Sequence, residues 1–270
     1  MNIQNTLIAA SLFSCLVTGT AHAALQGRDL NGSAGSFEAY YDTELDITWL
    51  ADANYAKTSG YDADGLLNWA EANTWAANLS FTDGDHVYDN WRLPTVEPVN
   101  GVSFNFSFAL NGSTDKGYNV SEQGTAYAGS SGSEMAHLFY NTLNNPGNYT
   151  PEGSSRGCYT NGTSDTCLDN LGPFANLQSD AYWSATGFAP NDSQAWSFFM
   201  FDGRQIDGSV AFYRRAWAVS PGDVAAVPEA QTYALMLAGL GLIGWRARQR
   251  GEGCQKSLSG PVYRSLESIL

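Results

Sequence analysis

A short apolar run near the C-terminus limits how much of this chain can fold into a globular domain. Residues 233–245, YALMLAGLGLIGW, are almost entirely apolar, and Arg246, Arg248 and Arg250 follow them. As a helix the run would measure about 20 Å, which is shorter than the roughly 30 Å hydrocarbon core of a bilayer. An apolar segment followed by arginines suits a helix that stops in an inner membrane with its positive charge inside. The alternative is a buried helix at the end of a globular domain.

The complete stretch 227–250 resembles the PEP-CTERM sorting signal, in which a Pro-Glu-Pro box precedes a hydrophobic helix and a basic cluster. The box is formed here by Val227, Pro228 and Glu229, and Ala230 stands where the family has its second proline. The resemblance implies an exosortase-type sorting protease as a partner. It also implies a hydrophobic C-terminal helix that holds the protein in the membrane before processing, and a final location at the cell surface or in the extracellular matrix.

The N-terminus predicts export as well. Residues 7–18 are apolar over the length of a signal-peptide core, and residues 21–23 (Ala-His-Ala) form a cleavage site of the A-x-A type. The mature chain is therefore expected to begin at Ala24. A lipoprotein-type site at Cys15 is the alternative, which the bulky Phe13 disfavours.

These two ends leave one central domain. The sequence divides into a signal peptide (1–23), an extracellular domain (24–223), a sorting segment (224–250) and an atypical tail (251–270). The chain carries 27 Asp and Glu against 13 Lys and Arg, a formal net charge of −14, so nucleic acid is not expected as a partner. Low charge content with 13% aromatic residues indicates a rigid, loop-rich extracellular fold.

Two cysteines remain once both ends are set aside. Cys158 and Cys167 lie in the polar segment GCYTNGTSDTCLDN. Because an exported protein meets an oxidising environment, we predict that they form a local disulfide, which stabilises the fold by about 2 to 3 kcal/mol. A redox or copper-binding pair is the alternative, and it lacks the CxxC spacing and a nearby basic group that would activate a thiol.

An acidic turn before the first predicted helix is a candidate calcium loop. Asp62, Asp64 and Gly65 match positions 3, 5 and 6 of such a loop, and Glu71 matches position 12. Position 1 would be Gly60, which has no side-chain ligand to offer. The alternative is that Asp64 caps the helix and Glu71 is a solvated helix residue.

Hydrophobic periodicity predicts the helices and strands of the domain. One helix is expected over residues 66–79, where apolar residues recur at i, i+3 and i+4, and a second follows Ser133 as its cap. Strands are expected within residues 36–50, 104–108, 182–184, 194–201 and 209–219.

Several residues are assigned by type. Trp91, Trp183 and Trp196 are expected to be core aromatics, and an exposed carbohydrate platform is their alternative role. Arg92 is expected to bind a carboxylate or a carbonyl oxygen. His137 is expected to be a surface or packed histidine, since the second half of a di-metal motif is missing.

A second resemblance covers roughly residues 40 to 223. Its marks are Trp69-Ala70-x-Ala72, the pentapeptide WRLPT at 91–95, Tyr182-Trp183-Ser184, Ala195-Trp196-Ser197-Phe198 and the segment 214–219. This pattern resembles the C-terminal domain of a collagen-like bacterial adhesin, whose fold is C-type-lectin-like and related to formylglycine-generating enzymes. The resemblance implies an α+β fold with two helices and an irregular antiparallel sheet and, more loosely, glycan or matrix binding.

The function classes follow partly by exclusion. The domain contains only His86 and His137, and neither a GxSxG nor an HExxH motif occurs. We therefore expect a non-catalytic module that binds a glycan or an exopolysaccharide matrix. A passive structural component of the matrix or surface coat is the first alternative. An oxidase-like enzyme on the related fold is the second.

Overall fold

The computed structural model describes residues 25–33, 35–161, 165–224 and 240. The chain divides into two compact units, residues 1–224 and 225–270, and the first contains nearly all of these residues. Of the predicted C-terminal helix only Leu240 is described, and it is helical. The remaining predictions for the ends of the chain lie outside the described residues; they concern the signal peptide, the tail, and Val227, Pro228, Glu229, Arg246, Arg248 and Arg250.

Short strands outnumber helices in the first unit. The strands are β1 (Leu25–Arg28), β2 (Ala39–Asp42), β3 (Ile47–Leu50), β4 (Leu66–Leu67), β5 (Phe81–Asp83), β6 (His86–Tyr88), β7 (Phe108–Ala109), β8 (Lys116–Gly117), β9 (Ala181–Gly187), β10 (Gln194–Phe199), β11 (Arg204–Ser209), β12 (Arg214–Arg215) and β13 (Val219–Pro221). The helices are α1 (Tyr55–Thr58), α2 (Trp69–Ala77) and α3 (Glu134–His137), and α3 continues as a π-helical turn, Leu138–Thr142. No helix in the described ranges has both the length and the apolar character needed to cross a membrane.

Two larger sheets organise the unit. The first, in the order β1-β2-β3-β13, is antiparallel throughout. The second has seven strands in the order β4-β12-β9-β10-β11-β8-β7, and β5 and β6 form a separate two-stranded sheet. In the seven-stranded sheet β12 lies parallel to β9 and β7 lies parallel to β8. The secondary structure of the first unit therefore consists of mixed sheets with few helices. The sequence predicted one irregular antiparallel sheet, and this prediction is wrong in two respects: there is more than one sheet, and the seven-stranded sheet contains parallel pairs. The parallel pairs involve the two-residue strands β12 and β7, which loops connect to the rest of the sheet.

Buried tryptophans form the centre of the unit. Trp49 and Trp217 have ring centroids 4.8 Å apart, and the Trp217 indole donates to the carbonyl oxygen of Leu50 at 2.8 Å. Trp183 is fully buried, and its indole donates to the carbonyl oxygen of Leu67 at 2.9 Å. The indole N–H groups of Trp217 and Trp183 are thus satisfied, whereas that of Trp49 is buried without a hydrogen-bond partner among the described residues.

The first predicted helix begins later than its apolar pattern suggested. Leu66 and Leu67 are paired with β12 as a short strand, and α2 begins at Trp69. Asn68 is the N-cap: its side chain accepts from the Glu71 amide, and the Glu71 side chain accepts from the Asn68 amide. This capping box fixes the helix start, because it satisfies two amides that the helix itself leaves unpaired.

The second predicted helix is confirmed, together with its cap. The Ser133 side chain accepts a hydrogen bond from the amide of Ala136 at 3.3 Å. Glu134, the first residue of α3, binds the Arg92 guanidinium through both carboxylate oxygens at 2.7 and 2.8 Å. The same carboxylate accepts from the Thr95 amide. Arg92 also donates to the carbonyl oxygen of Leu93 at 3.0 Å, so both predicted kinds of partner, a carboxylate and a carbonyl oxygen, are found.

The strand predicted over residues 104–108 is largely wrong. Only Phe108 enters a strand there. The rings of Phe104 and Phe106 both lie against Trp196, with centroid distances of 5.8 and 6.2 Å. Both side chains therefore reach one small aromatic cluster from a loop, and this packing produces the period-2 pattern that resembled a strand.

Candidate functional site

A polar, tyrosine-lined cleft of about 490 Å³ lies beside the turn between β10 and β11. Its principal lining residues are Tyr118, Asn148, Tyr149, Tyr159, Asp202 and Arg204. The rings of Tyr118 and Tyr149 meet edge to face, with centroids 4.8 Å apart. Aromatic faces beside a few convergent polar groups are typical of a small-ligand site.

Asp202 is the buried carboxylate of this cleft. It is 1% exposed, and its Oδ1 accepts from the amide of Arg204 at 3.1 Å. The Tyr118 hydroxyl donates to its Oδ2 at 3.0 Å. Burial raises the pKa of Asp202, although the positive charge of Arg204 and the hydrogen bond from Tyr118 act in the opposite direction. Burial, followed by the negative charge of Asp202, raises the pKa of Tyr118 well above its usual value, so this hydroxyl stays a donor.

Arg204 brings a positive charge to the cleft. Its guanidinium carbon lies 4.7 Å from the ring centroid of Phe199 and 5.9 Å from that of Tyr118. Its Nε lies 3.7 Å from the Asp202 carboxylate, which is too long for a hydrogen bond. Among the described residues this Nε atom is buried without a hydrogen-bond partner. Stacking on rings therefore holds the guanidinium in place.

A salt bridge supports one wall of the cleft. The amide of Asn148 donates to the carbonyl oxygen of Asp202 at 2.9 Å. Arg156 donates to the carbonyl oxygen of Tyr149 at 2.8 Å and to the Glu122 carboxylate at 2.7 Å. The Asn148–Tyr149 backbone is thus tied both to the turn that carries Asp202 and to an ion pair outside the cleft.

The predicted disulfide is confirmed, and it supports another wall. Cys158 and Cys167 are bonded, with their Cα atoms 4.9 Å apart. The ring of Tyr159 packs on that of Phe201 at 4.7 Å, and the Cys167 amide donates to the Phe201 carbonyl oxygen at 2.8 Å. Since Phe201 directly precedes Asp202, the closed loop holds Tyr159 beside the buried carboxylate.

A second cleft of about 330 Å³ is less suited to a polar ligand. Phe37, Tyr55 and Phe81 are among the residues that line it. Its carboxylates already serve the fold, since Glu38 accepts from the amide of Leu30 at 3.0 Å and Asp52 accepts from that of Asn54 at 2.8 Å.

The candidate calcium residues accept hydrogen bonds from the backbone. Asp62 accepts from the amides of Asp64 and Gly65 at 3.0 and 2.7 Å, and these bonds lower its pKa. Glu71 serves the capping box with Asn68, so the alternative role of Asp64 as the helix cap is wrong. In the part of the chain that the structure describes, no three His, Cys, Asp or Glu side chains are grouped to hold a metal ion. Calcium binding at Asp62, Asp64 and Glu71 stays a prediction.

The predicted core residues are buried as expected. Trp91, Trp183 and Trp196 are 4%, 0% and 0% exposed, so none of them can act as an exposed carbohydrate platform. His137 is packed, with its Nε2 3.0 Å from the Glu44 carboxylate.

The sequence did not single out the residues of the tyrosine-lined cleft. Tyr118, Tyr149 and Asp202 are far apart in the chain, and no motif joins them. The cysteine pair was the one sequence signal that pointed to this cleft, because a loop closed by a disulfide holds its own aromatic residue, Tyr159, against a distant segment of the same chain.

Comparison with known proteins identifies the C-terminal segment. The family model of the PEP-CTERM protein-sorting motif matches residues 226–250, in agreement with the resemblance seen over 227–250. No curated protein and no solved structure matches the chain. The motif implies export and sorting by an exosortase to the cell surface or the extracellular space.

Proposed function

We propose that this protein is a non-catalytic module that binds a polysaccharide of the extracellular matrix after its export and sorting. The observation that carries the proposal is the open cleft that combines Tyr149 and Tyr159 with Asp202, Asn148 and Arg204. A sugar ring has an apolar C–H face that stacks on tyrosine, and its hydroxyl groups bind carboxylate, amide and guanidinium groups. A C-type-lectin-like core, inferred from the resemblance of residues 40–223, is part of this proposal.

The composition of the cleft supports binding without catalysis. Asp202 is the one carboxylate among the described residues that line it, whereas glycoside hydrolysis commonly uses two flanking carboxyl groups. The cysteines that an oxidase-like mechanism would need are joined in a disulfide, and Cys167 is fully buried. These features favour a binding module over the oxidase-like alternative.

Surface sorting suits a module with one modest site. Many copies displayed together engage a repetitive polymer at several points, and such multivalency strengthens attachment without any additional contact in each cleft. The sorting motif at 226–250 and the cleft would therefore act together.

A glycan array probed with the exported protein tests this proposal. We expect saturable binding to at least one polysaccharide, and we expect Tyr149→Ala to weaken it about tenfold because the stacking face is lost. Tyr213→Ala is the matched control, since Tyr213 is 65% exposed and does not line the cleft. Absence of binding to every glycan would contradict the proposal and favour a passive component of the matrix or surface coat.

A further inference from the structure

Two cations, one of them lining the cleft and the other behind it, lie close together in a chain that is acidic as a whole. The chain has a formal net charge of −14. Yet Arg204 lines the cleft, and the Asp202 carboxylate lies 3.7 Å from its Nε, beyond hydrogen-bonding distance. Burial also favours the neutral form of Asp202, because it raises the pKa of this carboxyl group.

A second guanidinium lies close to the first. The guanidinium carbon of Arg214 is 4.9 Å from the ring centroid of Phe199, the same ring on which Arg204 stacks, and 4.7 Å from that of Trp183. Its Nη1 donates to the neutral Ser197 hydroxyl at 2.6 Å. Burial and the charge of Arg204 lower the pKa of Arg214 to about 10, so Arg214 remains a cation at neutral pH.

Nearby carboxylates offset this pair of cations only in part: the negative charges of Asp180 and Asp207 act to raise the pKa of Arg214, against the effect of burial. Asp207 is engaged by Lys116 at 2.6 Å. No described carboxylate lies within ion-pair distance of Arg214, and Asp202 is the one described carboxylate within that distance of Arg204. The region around Phe199 therefore has an excess of positive charge.

The guanidinium of Arg204 also has unused donors. It makes no hydrogen bond to any residue that the structure describes, although its side chain is only 29% exposed and its Nε is buried. Protein groups buried to this degree normally have partners. A planar guanidinium presents its N–H donors in a fork that matches the two oxygens of a carboxylate.

We infer that the cleft selects a sugar that carries a carboxylate, a hexuronate residue, and that Arg204 binds this carboxylate. The inference rests on the proposed function and names the chemical class of its ligand. The sugar ring stacks on Tyr149, and its carboxylate accepts hydrogen bonds from the N–H groups of Arg204 that have no partner in the protein. A neutral hexose would occupy the same cleft and leave the N–H donors of the Arg204 guanidinium without a hydrogen-bonded carboxylate.

Calorimetric titration of the exported protein tests the inference. The probes are oligomers of glucuronate, galacturonate, mannuronate and guluronate, each compared with its own methyl ester, in which the ring is unchanged and the charge is removed. We expect at least one acid to bind about tenfold or more tightly than its ester, since charge-assisted bonds are stronger than neutral ones. Equal affinity for every acid and its ester would overturn the inference.

Variants assign the preference to one side chain. Arg204→Gln is expected to bind the acid no better than the ester, and Arg204→Lys to recover only part of the preference, because an ammonium lacks the fork. Lys57→Gln removes the same charge from an exposed position outside the cleft and should bind as wild type does. Unchanged affinity of Arg204→Gln for the ester shows that its cleft is intact.

The outcomes separate this inference from the proposed function. If acid and ester bind equally and Tyr149→Ala weakens both, the cleft is a sugar site without acid selection. If the acid preference survives in Arg204→Gln, the role of Arg204 is wrong. Stronger binding of sulfated oligomers than of hexuronates would show that the cleft selects a sulfate group and that the assignment of a carboxylate is wrong. If no hexuronate oligomer binds while the array shows binding of another glycan, this inference fails and the proposed function stands. If no glycan binds at all, or if Tyr149→Ala changes nothing, both proposals fail.

Discussion

At the scale of single residues, burial determines which charges the protein can keep. Asp202 is buried, accepts from Tyr118 and Arg204, and has a raised pKa. A carboxyl group whose pKa is higher in the folded state than in the unfolded chain stabilises the fold at low pH. That contribution disappears as the pH rises through the folded-state pKa.

Asp202→Asn should therefore gain stability relative to wild type as the pH rises. Between about pH 4 and about pH 7 the cost of ionising the buried Asp202 grows in wild type, whereas the neutral amide of the variant has no such cost. Urea unfolding at both pH values measures the difference in the free energy of unfolding. If that difference is the same at both pH values, or moves in favour of wild type at higher pH, the assigned pKa shift is wrong.

Residue type predicted burial better than it predicted pairing. Trp183 and Trp196 belong in the core because large aromatic rings gain most from burial, and the structure places them there. The bond between Tyr118 and Asp202 joins positions that are 84 residues apart. Only the sheet register brings β8 beside β11, and a single pair of facing residues, Gly117 and Gln205, defines that register.

At the scale of elements, short polar signals set the boundaries that hydrophobic patterns misplace. Leu66 and Leu67 continue the apolar period of α2, but the capping box at Asn68 starts the helix after them. The two leucines are then free to pair with β12 and join the seven-stranded sheet.

Asn68→Ala should lower the free energy of unfolding by about 1 kcal/mol, because the cap is lost. Asp64→Ala is the matched control: Asp64 is exposed and precedes the cap, so its replacement should cost less than Asn68→Ala. Chemical denaturation of both variants measures the order. A larger loss for Asp64→Ala than for Asn68→Ala would show that Asp64, and not Asn68, is the residue that caps the helix.

The disulfide loop is an element whose loss should affect both stability and binding. Replacing Cys158 and Cys167 together with serine should reduce the free energy of unfolding by about 2 to 3 kcal/mol. Because Tyr159 and Phe201 then lose a fixed neighbour, glycan affinity should fall even at temperatures where the variant is folded. Thermal unfolding and the glycan titration measure the two effects separately, and unchanged affinity in the folded variant would exclude a role of the loop in the cleft.

Regular alternation located two strands of the seven-stranded sheet, misassigned the segment 104–108, and gave no signal for β11. The predictions at 182–184 and 194–201 correspond to β9 and β10. β11 was missed because RQIDGS alternates poorly in hydrophobicity. Its place is fixed by six facing pairs with β10, and this tertiary contact outweighs its weak local preference.

At the scale of the whole molecule, the sorting motif determines where the domain acts. We predict that cells with an exosortase yield a protein shortened at the motif, and that cells without one retain the full C-terminus. A variant with both Pro228→Ala and Glu229→Ala should keep its C-terminus in either cell. Mass spectrometry of the intact protein measures the product, and an uncleaved wild-type chain in exosortase-containing cells would show that the box with Ala230 is not processed.

The class of the fold could be predicted from the sequence, and its sheet topology could not. Alternating aromatics and two short helical patterns indicate mixed α and β structure. The pairing of β13 with β3 and of β12 with β9 depends on contacts between distant segments, for which the local pattern contains no information.

The first sheet has a mechanical consequence. The described part of the first unit ends at Val224, three residues after the end of β13. β13 pairs over three residues with β3, and Asp223 binds the Arg28 guanidinium through two contacts of 2.6 Å. Tension applied through a C-terminal tether would therefore load this ladder and this clamp first. The turn that carries Asp202 belongs to the other sheet, so under such tension the first sheet is expected to open before the proposed binding cleft is disturbed.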